Sequence, residues 1–71
     1  MSKKYTVVFQ KDTTLFDKDG KGFLYKQGEG FKDAYLLDTV NKQGHDYYIL
    51  EVPIYGTRAQ VQIPTDEVTL K

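Results

Sequence analysis

Short segments in which apolar and polar residues alternate, each ended by a turn signal, make up most of the chain. The first segment, 4–10, is β-branched and aromatic, and its period of two places Tyr5, Val7 and Phe9 on one face. The same pattern predicts further strands at Thr13–Phe16, 23–25, 45–52, 59–63 and Val68–Leu70. Strand signals at this density indicate an all-β protein.

The segment 31–40 is ambiguous. A helical spacing is offered by Phe31, Ala34, Tyr35 and Asp38, whereas the end of the segment is β-branched and alternates. The turn residues at 41–44 follow directly, which is typical of a strand that enters a hairpin. We therefore predict a strand here, with a helix as the alternative.

Glycine-containing turn clusters at 17–22, 26–30, 41–44 and 55–58 leave little room for helices. Pro64 and Asp66 suit a helix start, so 64–68 is predicted to form a single helical turn. Seventy-one residues are enough for one modest core. We predict a single domain over residues 1–71, a small five-stranded antiparallel barrel with one short 3₁₀ turn before the last strand. Its core candidates are Phe9, Leu37, Leu50, Val61 and Ile63.

The order of these parts is informative. A glycine-rich loop at 17–22 is followed by a Lys-Gln-Gly turn at 26–28 and two hairpins, and then by a strand, a one-turn helix and a closing strand at 61–70. This order resembles the SH3-like barrels, and specifically the bacterial SH3 family. The chain has no tryptophan, so it lacks the Gly-Trp pair that this family usually carries before the helical turn. The resemblance implies an SH3-like barrel.

Composition limits the partners. Ten basic residues balance ten acidic ones, so no net field draws the chain to nucleic acid or to an anionic membrane. No run of about 20 apolar residues is present to span a bilayer. The chain has no cysteine, which excludes disulfides, thiolate metal sites and cysteine nucleophiles.

The strongest metal-like motif is the loop 17–22, which resembles a calcium-binding loop. Lys21 stands at the fifth ligand position and Gly28 at the twelfth, where oxygen ligands are needed. His45 is the single histidine and Ser2 the single serine, so a Ser-His-Asp arrangement is not credible. We predict no metal, no cofactor and no catalysis.

The ten aromatic residues are the most informative set, because a core of this size cannot enclose all of them. Tyr47 and Tyr48 are adjacent on a strand and point to opposite faces, and Tyr25 and Tyr55 adjoin turns. We predict a ligand-binding strip of Tyr25, Tyr47, Tyr55 and Arg58, since Tyr and Arg dominate binding hot spots. The alternative is that these tyrosines pack on the fold with their hydroxyls in water.

These observations favour a non-catalytic binding module of bacterial SH3-like type, which recognises a peptide or a cell-wall ligand through an aromatic groove. The alternative is a free-standing small intracellular protein, such as a phage-encoded one, that binds and modulates a host protein. The Met start favours a complete chain, which would be cytoplasmic, whereas a fragment of a secreted parent would be extracellular.

Overall fold

A computed structural model of the chain describes residues 3–16 and 19–71. It confirms the all-β fold, with 72% strand and no α-helix among these residues. The seven strands are β1 (Lys4–Phe9), β2 (Thr13–Phe16), β3 (Gly22–Tyr25), β4 (Gly30–Lys42), β5 (His45–Ile54), β6 (Thr57–Pro64) and β7 (Val68–Leu70). The predicted helical turn is a 3₁₀ turn at Thr65–Glu67, directly before β7. Within the described part of the chain, no helix has the length and apolar character to cross a membrane.

The β4–β5–β6 meander is built by two tight hairpins. Gln43-Gly44 joins β4 to β5, and Tyr55-Gly56 joins β5 to β6, with positive φ at all four residues. Two central residues with positive φ define a type I′ turn, whose twist matches that of the flanking strands. These local turns fix the register of all three strands.

The strands form a five-stranded antiparallel sheet and a separate two-stranded hairpin. The larger sheet has the order β6-β5-β4-β1-β7, and β2 pairs with β3 alone. The predicted barrel is therefore found only in part. Among the described residues β6 and β7 end the larger sheet without pairing with each other, and no closed barrel forms.

The strand prediction for 31–40 is confirmed, and a bulge explains the three-residue spacing of Phe31 and Ala34. Tyr5 pairs with Ala34 and Val7 with Phe31, so two residues of β4 lie opposite one residue of β1. Asp33 lies in this bulge with a φ of 60°. An inserted residue turns the same-face spacing from two into three. Phe31 and Ala34 are accordingly both buried.

Phe9, Leu50, Val61 and Ile63 are confirmed as core residues. They pack with other buried apolar side chains, which are Val7, Leu15, Phe31, Ala34, Val52, Ile54 and Val68. The prediction for Leu37 is wrong, because its side chain is 45% exposed. Leu36 pairs with Leu50 and Asp38 with Ile49, so Leu37 is the extra residue of a second irregularity and faces outward.

Pro53 lies within β5, which continues to Ile54. Ile54 pairs with Thr57 across the two-residue turn, so Pro53 opposite Arg58 falls in a pair that exchanges no hydrogen bonds. The ring nitrogen of Pro53, which carries no hydrogen, therefore faces away from β6 and towards the side of β4. The pairing with β4 has already ended at Glu51 there, so proline removes no ladder bond.

Candidate functional site

The ring pair of Phe23 and Tyr55 separates two neighbouring cavities. One, of about 450 Å³, lies between β3, the start of β4 and the end of β5, and we call it the tyrosine groove. Its lining is Gly22, Phe23, Leu24, Tyr25, Gly30, Phe31, Pro53, Ile54 and Tyr55. The other, of about 560 Å³, lies beside β6, and we call it the side cleft. Its lining is Asp19, Lys21, Phe23, Ile54, Tyr55, Thr57, Arg58, Ala59 and Gln60. Both volumes lie in the range of small-ligand sites.

Tyr55 holds the first position of the β5–β6 turn, and its side chain is 82% exposed. Its ring packs edge-on against Phe23, with 5.3 Å between the centroids. The Lys21 ammonium lies over both rings, 5.5 Å from the centroid of Tyr55 and 5.8 Å from that of Phe23. Three side chains from two elements thus form one exposed aromatic and cationic cluster.

Tyr25 supplies the base of the tyrosine groove. Its ring stacks on Phe9 at 5.2 Å and packs against Phe31 at 4.8 Å, so one side is held by the core. Burial raises the pKa of the Tyr25 hydroxyl, and the nearby Tyr55 and Glu29 raise that pKa further. Tyr25 therefore stays neutral at physiological pH and can donate a hydrogen bond at the groove.

Arg58 contacts the side cleft, but its guanidinium is also held within the fold. Its Nη2 donates to the carbonyl oxygens of Asp33 at 2.8 Å and Glu51 at 3.0 Å, and its Nε pairs with Glu51 Oε1 at 3.1 Å. The guanidinium also lies 5.0 Å from the ring centroid of Tyr35. Arg58 thus ties β6 to β5 and to the Asp33 bulge of β4.

Tyr47 lies at the opposite end of the molecule. It pairs with Pro64 and Val40, and it borders a third cavity of about 430 Å³ beside the 3₁₀ turn. Seven residues of extended strand separate Tyr47 from Ile54, which is about 23 Å. The structure therefore places Tyr25 and Tyr55 on the tyrosine groove and Tyr55 and Arg58 on the side cleft, and it places Tyr47 apart from them.

The sequence reasoning missed Phe23, Pro53 and Ile54 as lining residues of the tyrosine groove. Phe23 alternates with Leu24 and shares the face of Tyr25, so the pattern of the segment 23–25 contains this information. The hairpin β2–β3 also carries an outward apolar face, where Phe16 is 66% and Leu24 is 60% exposed. That exposure depends on how the hairpin packs, which no local signal encodes.

The structure offers no described cluster suited to metal chemistry. Across residues 3–16 and 19–71, no three His, Cys, Asp or Glu side chains are placed to hold an ion. Asp17 and Lys18, which begin the calcium-like loop, and Ser2 lie outside the described residues. That the protein needs no metal and catalyses no reaction therefore stays a prediction.

Comparison of the chain with protein-family models, with curated proteins and with solved structures gave no match in any of the three.

Proposed function

We propose that the protein is a non-catalytic binding module of SH3-like type, which recognises an extended peptide through the tyrosine groove. The groove offers ring faces, one proline and a neutral phenol, which together suit apolar or proline-containing peptide segments. Tyr25 and Phe31 of the groove are held by packing against the core, so binding orders few side chains on that side.

The SH3-like part of the proposal is supported by the order of elements. The hairpin β2–β3 precedes the Lys-Gln-Gly turn, two type I′ hairpins follow, and a 3₁₀ turn precedes the closing strand β7. The first and last strands pair, with Val7 opposite Leu70. The resemblance itself rests on the order of loop, turn, two hairpins and closing strand, and the pairing of β1 with β7 is additional to it.

The observation that carries the binding proposal is the placement of Tyr55. A bulky L-residue in the left-handed region is strained by about 1–2 kcal/mol, and Asn or Gly is preferred at this turn position. The ring is also almost fully exposed, so it gains little burial in return. A tyrosine that costs stability and presents its ring beside an aromatic groove is best explained by a ligand contact.

The test separates binding from folding by two matched substitutions. Tyr55→Asn removes the ring but suits the type I′ turn. Gln43→Asn introduces the same residue at the equivalent position of the other hairpin, where no ring is lost. Peptides are first selected from a random 12-residue display library against the folded protein. Their affinities for the two variants are then measured by titration calorimetry.

We expect Tyr55→Asn to bind at least about 30-fold more weakly, which corresponds to about 2 kcal/mol for a hot-spot ring. Its melting temperature should stay close to that of the parent, because relief of strain offsets the lost contact with Phe23. Gln43→Asn should bind normally and melt higher. Selection of no peptide, capture by cell-wall preparations alone, or unchanged peptide affinity of Tyr55→Asn would refute the proposal.

A further inference from the structure

The strand β6 is the one long open edge in the described part of the chain. It ends the five-stranded sheet over eight residues, whereas the other end of that sheet, β7, has only three. The hairpin β2–β3 does not pair with β6 but packs on the same core, where Leu15 is buried with Val61. The outer edge of β6 is thus left without a hydrogen-bonded neighbour strand.

The backbone groups on that edge follow from the hairpin register. Ile54 and Thr57 flank the two-residue turn as a hydrogen-bonded pair, so alternate residues of β6 bond to β5. The remaining residues are Arg58, Gln60, Gln62 and Pro64. The N–H and C=O groups of the first three point outward, and their side chains are exposed, whereas Pro64 has only a C=O group to offer. Edges of this kind are normally protected from pairing with another chain by a lysine, a proline or a bulge. The outward positions before Pro64 carry no lysine or proline, and the pairing of β6 with β5 is regular.

We propose that β6 pairs with β6 of a second copy of this chain, antiparallel about a two-fold axis at Gln60. In this register Gln60 lies opposite itself and Arg58 lies opposite Gln62, so no like charges are opposed. Each such pair exchanges two hydrogen bonds, which gives about six across the interface. The chain is neutral overall, so two copies do not repel each other.

The neighbouring registers are less favourable. A shift of the axis to Val61 places Arg58 opposite Pro64, which has no N–H to donate. A shift to Ala59 places Gln62 opposite Gly56, which belongs to the turn and not to the strand. Only the axis at Gln60 pairs Arg58, Gln60 and Gln62 exclusively with one another, so that every pair has both N–H groups to donate, and this self-complementarity favours a second copy over an unrelated strand.

The test combines mass with amide exchange. Sedimentation equilibrium between about 10 µM and 1 mM should show the mass rising from 8.2 kDa towards twice that value. Hydrogen exchange at the amides of Arg58, Gln60 and Gln62 should slow with concentration, while the amides of β7 stay unchanged. Gln60→Lys should abolish both effects, because it opposes two ammonium groups at the axis. Gln27→Lys adds the same charge in an exposed turn and should leave both effects intact.

A chain that stays monomeric up to 1 mM, or a dimer whose three edge amides exchange as fast as those of the monomer, would overturn the proposal. Equal association of Gln60→Lys and the parent chain would also overturn it. Protection of the edge amides only after a library-selected peptide is added would assign the edge to a foreign strand, and the second copy would then be wrong. Each readout is independent of the affinity of the tyrosine groove for peptides.

Discussion

Gly30 is the residue at which a single methyl group should be most damaging. A Cβ at this position would lie 1.7 Å from the carbonyl oxygen of Val7 and 2.7 Å from its carbonyl carbon. Both atoms are backbone of the paired strand β1, so no side-chain rotation relieves the clash. Strands spaced about 4.8 Å apart would have to separate by about 1.5 Å, which breaks the ladder locally.

The cost of Gly30→Ala follows from what the separation disrupts. Loss of about two backbone hydrogen bonds costs about 2 kcal/mol, and overpacking near the buried Val7 and Phe31 adds about 1–3 kcal/mol. We expect the free energy of unfolding to fall by about 3–5 kcal/mol. For a domain of this size, that lowers the melting temperature by about 15–30 °C.

Urea denaturation followed by circular dichroism measures this loss. The matched control is Gly44→Ala, because nothing lies within 4 Å of a Cβ there and only the positive φ of 82° opposes alanine. That control should lose about 1 kcal/mol. If Gly30→Ala is no less stable than Gly44→Ala, the close approach of β1 and β4 does not exist in solution.

Three further predictions concern the Arg58 guanidinium, the Tyr25 phenol and the calcium-like loop at 17–22. Arg58→Lys should lower the free energy of unfolding by about 1–2 kcal/mol in urea titrations, since lysine lacks the planar fork whose Nη2 and Nε engage the two carbonyls and the Glu51 carboxylate at once. Lys4→Ala, which breaks a solvent-exposed ion pair, should change it by less than about 0.5 kcal/mol. The raised pKa of Tyr25 means that the fold favours the neutral phenol, so its contribution to stability is present below pH 10.0 and lost as the pH rises through the folded pKa. Tyr25→Phe should therefore show a smaller fall in melting temperature than the parent chain in this alkaline range, and an equal fall would contradict the assignment. Thermal melts with calcium and with chelator should overlay, and a rise of several degrees with calcium would contradict the absence of a metal site.

Local rules were enough to predict most elements of the fold. Period-two alternation, the Gly-bearing turns and Pro64 each act within a few residues, so the strands, hairpins and 3₁₀ turn are readable from the sequence. The prediction that Leu37 is a core residue was wrong because the outward direction of its side chain depends on a bulge set by pairing with β5. Closure of the barrel was predicted from the same local signals, but it depends on contacts between distant strands, and the described sheet stays open.

The site was predictable to the extent that it adjoins turns. Tyr25 and Tyr55 were selected for that reason, and they do meet at one groove. Tyr47 was selected from its strand face, yet the length of β5 alone places it far from Tyr55. The partners of Arg58 come from two other strands, and no sequence signal joins those residues.

The pairing of β1 with both β4 and β7 has a consequence for the order of folding. The β4–β5–β6 meander is joined by two-residue turns, whose closure takes microseconds. Val7 and Leu70, in contrast, come from opposite ends of the sequence. They pair only after the chain has lost the conformational entropy that closing a long loop costs. The meander should therefore be structured in the folding transition state, while β7 docks after the barrier. Substitutions in β7 would then speed unfolding and leave the folding rate nearly unchanged.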